Sequence, residues 1–91
     1  MDFSENIYFG SSVENIEEIY AKILNKIPVF NIYCIYYYDN SVLKAEIASS
    51  CQMFKNKKDN FKIIGIANGR EEAYDLYKEI IKDLIKEGTL I

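Results

Sequence analysis

The segment Val29 to Tyr38 constrains this chain more than any other. It carries no charge and consists mostly of β-branched and aromatic residues, which favour a pleated strand. Side chains alternate along a strand. Phe30, Ile32, Cys34 and Tyr36 therefore share one side, and Tyr33, Ile35 and Tyr37 share the other. Both sides are apolar, so a sheet built on this strand must cover both faces or leave one sticky. The wider uncharged run, Ile27 to Tyr38, falls short of the roughly 20 apolar residues that cross a bilayer.

The rest of the chain is read around this strand. Asn6 to Gly10 is a short apolar run ending in Gly, and reads as a first strand. Ser11 and Glu14 have capping-box spacing. From there Val13, Ile16, Ile19, Tyr20, Ile23, Leu24 and Ile27 recur with helical period, and Pro28 ends the helix. Asp39-Asn40 tolerates the positive φ of a tight hairpin turn, and Val42 to about Met53 is the expected return strand. Lys55 to Asn60 is a polar loop. Phe61 to Ala67 is a last strand, broken by Asn68-Gly69. Arg70 to Glu87 then repeats the helical pattern through Ala73, Leu76, Tyr77, Ile80, Ile81, Leu84 and Ile85, with Gly88 as a fitting C′ residue. The tail Thr89-Leu90-Ile91 is apolar and is expected to dock.

The expected fold is a single α/β (α+β) domain over residues 1–91, a two-layer sandwich in the order β-α-β-β-β-α. The four-stranded sheet should be mainly antiparallel, with the first two strands parallel if adjacent and both helices on one face. A two-residue turn at Asp39-Asn40 pairs Ile32 with Ile47. That register sets Leu43, Ala45 and Ile47 beside Phe30, Ile32, Cys34 and Tyr36 under the helices. It also places Cys34 too far from Cys51 for a disulfide.

Composition narrows function by exclusion. The chain has no His and two Cys, so neither a Cys–His nucleophile nor an ordinary zinc set exists within it. No phosphate-binding loop or dinucleotide fingerprint is present. An enzyme, a cofactor and a metal site are accordingly not expected. Net charge is −3, against a general nucleic-acid binder. The acidic start without an apolar h-region argues for a cytoplasmic protein with no secretory signal and no membrane partner. Ile, Lys, Asn and Tyr supply 41 of the 91 residues, the signature of an AT-rich bacterial, phage or mobile-element genome.

Three local features are candidate sites. If both helices cover one face, Tyr33, Ile35, Tyr37, Ile64 and Ile66 form an open apolar patch on the other, suited to self-association or protein binding. Lys55, Lys57, Lys58 and Lys62 lie in a stretch of local charge +3 (residues 55–62) and suit weak phosphate binding. Asn68-Gly69-Arg70 opens a helix and offers backbone amides to an anion, although Glu71 and Glu72 follow at once. The triplet Tyr36-Tyr37-Tyr38 offers aromatic rings of the kind a base-stacking platform uses.

The element order over most of the chain is similar to two families. The last five elements resemble the double-stranded-RNA-binding domain, and the whole order resembles the ribosome-hibernation factors. The first resemblance implies a Lys-rich start to the last helix, where this chain reads Gly69-Arg70-Glu71-Glu72-Ala73. The second implies a basic helix face, where Arg70 to Glu87 carries four basic and six acidic residues. The residues favour a small, non-catalytic regulator or inhibitor that binds another protein and forms a homodimer, a description that suits an anti-defence protein. The alternatives are an RNA- or ribosome-binding module using the lysine loop, and a small-ligand binder at an oligomer interface.

Overall fold

Both sides of the apolar run are covered, by different helices. The computed structural model describes residues 1–88, so the expected docking of Thr89-Leu90-Ile91 lies outside the described residues. The chain runs β1 (Asp2–Phe9), α1 (Ile16–Leu24), β2 (Ile32–Tyr38), β3 (Glu46–Ser49), α2 (Ser50–Phe54), β4 (Phe61–Asn68) and α3 (Arg70–Lys86). A turn of 3-10 helix, Val42–Lys44, links β2 to β3. The strand order is β1-β4-β2-β3. The β1–β4 pair is parallel, whereas β2 is antiparallel to both β4 and β3.

The sheet is thus mixed rather than mainly antiparallel as expected, and β2, β3 and β4 do not lie side by side in chain order. Because β3 and β4 flank β2 and run the same way, their link must cross over. The short helix α2, expected as strand, supplies that crossover. Ser49 caps it, its side chain accepting the Gln52 N–H at 3.2 Å. The first helix is not a crossover between adjacent parallel strands, since β1 pairs with β4.

One face carries Ile32, Cys34, Tyr36, Phe61, Ile63 and Ile66, packed with Ile23 of α1 and Met53 of α2. The other carries Ile35, Tyr37, Ile64 and Ala67, packed with Ala73, Leu76 and Ile80 of α3. The two sets alternate along β2, so the helices lie on opposite faces. The expectation of both helices on one face is corrected accordingly.

Two local events explain the misplaced registers. Asp39 and Asn40 do take positive φ, at 52° and 58°, and Ser41 N–H closes the turn on Tyr38 C=O at 2.9 Å. The 3-10 turn then intervenes before β3, so Ile47 pairs with Ile35 rather than Ile32. This odd shift moves Ala45 and Ile47 to the α3 side. In β4, Ile35 opposes Gly65 and Tyr36 opposes Ile63, so Ile64 is an extra, bulged residue. The bulge sends Ile64 to the α3 face and Ile66 to the α1 face, although both have the same parity in sequence.

Candidate functional site

The apolar patch expected on an open face is corrected. Ile35, Ile64 and Ile66 are 0%, 4% and 0% exposed, Tyr37 is buried and Tyr33 half-buried. Helix α3 covers Tyr33, Ile35, Tyr37 and Ile64, and Ile66 lies in the opposite core. These residues hold the fold together. The Tyr triplet is no platform either, since Tyr36 and Tyr37 are buried.

The surface feature that does stand out precedes β2. The sequence pattern placed Phe30 under the helices, yet its side chain is 96% exposed. The chain there is held by neighbours rather than by its own burial. After α1, Lys26 turns left-handed at φ 60°, and Pro28 fixes the approach to Val29. The Ser50 hydroxyl accepts the Val29 N–H at 2.8 Å and donates to the Val29 C=O at 2.9 Å. Ile32 N–H bonds Val29 C=O at 3.2 Å, closing a turn with Phe30 and Asn31 at its tip. Asn31 is left-handed at φ 60°, a conformation its short amide side chain tolerates. Its C=O accepts the Gly69 N–H at 2.8 Å, and its Nδ2 donates to Asn68 Oδ1 at 2.9 Å. The turn is tied to the start of α2 and to the β4–α3 junction, and the Phe30 side chain is left in solvent. Asn31 was the signal in the sequence: a residue suited to positive φ inside a β-branched run.

Two hollows flank Phe30. The larger, of about 410 Å³, is lined by Pro28, Val29, Asn31, Tyr33, Ser49 and Cys51 as well as Phe30. The smaller, of about 300 Å³, includes Val13, Glu14, Ile19 and Ile32. Cys51 is exposed and Cys34 buried, and neither is bridged. Burial pushes the Cys34 thiol up to about 12, which removes it from thiolate chemistry at neutral pH.

The lysines stay on the surface. Lys55 caps the end of α2, Lys57 and Lys58 sit in the following loop, and Lys62 is the second residue of β4; all are exposed. Lys62 lies opposite Asp2 in the β1–β4 register. A small cavity of about 150 Å³ brings Lys57 together with Lys26 and Asp59. Carboxylates therefore interleave with this basic stretch.

The amides before α3 are already occupied. Glu72 accepts the Asn68 N–H at 3.0 Å and the Ser12 N–H at 3.2 Å. Partial burial alone would raise its pKa, but these hydrogen bonds outweigh it and hold the carboxyl below its ordinary 4.5. Glu72 shares a cavity of about 390 Å³ with Glu71, Asp75 and Glu79, which adds negative charge where an anion would bind. Among the described residues, no group of three His, Cys, Asp or Glu side chains is placed to hold a metal ion. No helix among them is long and apolar enough to cross a membrane. No protein-family model, curated protein or solved structure matches the chain.

Proposed function

We propose that this chain is a small non-catalytic interaction protein, a regulator or inhibitor, that docks on a protein surface through the Phe30 turn. One observation carries the reading: a phenylalanine 96% exposed at the tip of a turn fastened by its backbone. An exposed aromatic ring gives no core stability, and aromatic anchors dominate binding energy at protein interfaces. A turn already held in one conformation loses little entropy when it binds. Half-exposed Leu24 and Ile27 lie just upstream in the same chain segment.

The test is a photo-crosslinking residue, p-benzoylphenylalanine, placed at position 30 and, as a control, at Tyr74 on α3, which is also exposed. A defined protein adduct from position 30 and none from position 74 is expected. No adduct, or the same adducts from both positions, overturns the reading. Phe30→Ala should keep its melting temperature within about 4 °C, as a surface change does, while the adduct partner no longer binds.

A further inference from the structure

Resting on the reading of the Phe30 turn as a docking element, we propose that its occupant is a second copy of this chain, each Phe30 entering the hollow beside the other. A two-fold contact requires a single patch that is complementary to itself. This patch carries both shapes. Phe30 is the projection, and the hollow of about 410 Å³ beside it is roomy enough for a phenyl ring. Its walls include Pro28, Val29 and the half-buried ring of Tyr33, against which an incoming ring packs edge-on or offset. A foreign partner would need only the projection; the adjacent hollow fits a reciprocal exchange.

Charge points the same way. At net charge −3, two copies repel over much of their surface. No Asp, Glu, Lys or Arg lines the larger hollow, so the copies can meet there without like charges being forced together. Cys51 on the same wall is exposed and becomes covered in the exchanged dimer. Buried Cys34 provides an internal reference.

Sedimentation velocity across a wide concentration series tests this. A dimer is expected, weakened about tenfold or more by Phe30→Ser, as for a hot-spot residue. Circular dichroism of the variant should be unchanged, because Phe30 is outside the core. Cys51→Trp, which fills the hollow, should weaken the dimer with Phe30 intact. Maleimide labelling of Cys51 should slow as the wild type dimerises and stay fast in Phe30→Ser, with Cys34 unlabelled in both. A wild type monomeric at every concentration overturns the proposal, as does a dimer insensitive to Phe30→Ser. If the wild type is monomeric but position 30 still crosslinks to a different protein, self-exchange fails and the docking reading survives.

Discussion

Ser50 is 1% exposed in surroundings that are largely apolar, and both hydrogen-bonding capacities of its hydroxyl go to one residue, Val29. Removing it strands the partly buried Val29 N–H and leaves the Val29 C=O with the Ile32 N–H alone. Ser50→Ala should destabilise the fold by about 1–3 kcal/mol, measured by urea denaturation with an unchanged m-value. Gly65 is constrained differently. A Cβ there would stand 2.9 Å from Ile35 Cδ1, 3.2 Å from Ile80 Cδ1 and 3.3 Å from Leu76 Cδ2, side-chain ends in the α3 core. Gly65→Ala should therefore cost about 1–3 kcal/mol as an overpacked core does, read as a lowered thermal midpoint. Neither role was legible in the sequence. Ser50 reads there as one of two adjacent serines in a return strand, and Gly65 as an ordinary interruption of a β run. Their meaning comes from neighbours distant in the chain, as does that of Phe30, whose strand alternation placed it under a helix.

At the scale of elements, α3 was the most legible. Its long periodic stripe, acidic first turn and Gly88, left-handed at φ 76°, all read correctly from local chemistry. The strands near Val29–Tyr38 were legible in kind, as was the antiparallel β2–β3 pair, but not in register, because one 3-10 turn and one bulged residue reverse the parity on which register arguments rest. Element α2 was missed, since Ala48 to Met53 fits strand alternation as well as a helix capped by Ser49. The junction of the β1–α1 loop with the β4–α3 turn has a pH signature. Glu72 is held below its ordinary 4.5 in the folded chain by the Asn68 and Ser12 amides. A lowered folded-state pKa means that the ionised carboxylate stabilises the fold above that ordinary value. The contribution is lost as pH falls through the depressed folded value. Glu72→Gln should lower stability at neutral pH and flatten its acid dependence, with the two proteins converging in acid. Thermal midpoints measured from neutral pH downward check this.

Over the whole molecule, covering both faces of the sheet removes the surface on which the sequence reading placed its binding site. Lysines at positions 35 and 64 would stand in the α3 core, where Ile35 is 0% and Ile64 4% exposed. An unpaired charge there should cost more than about 4 kcal/mol, a large share of the roughly 5–15 kcal/mol that holds a domain together. Ile35→Lys with Ile64→Lys should unfold the chain, seen as loss of cooperative melting, where an open interface would have left a folded monomer.

The sheet order has a consequence for synthesis. Among the described residues, the only sheet neighbour of β1 is β4, which leaves the ribosome after β2 and β3. Until residues 61–68 emerge, the β2–β3 pair is the only part of the sheet that can close, and β1 has no strand to join. Pairings so far apart in the chain form slowly. Ile7, Tyr8 and Phe9, the apolar end of β1, therefore remain available to chaperones until β4 emerges.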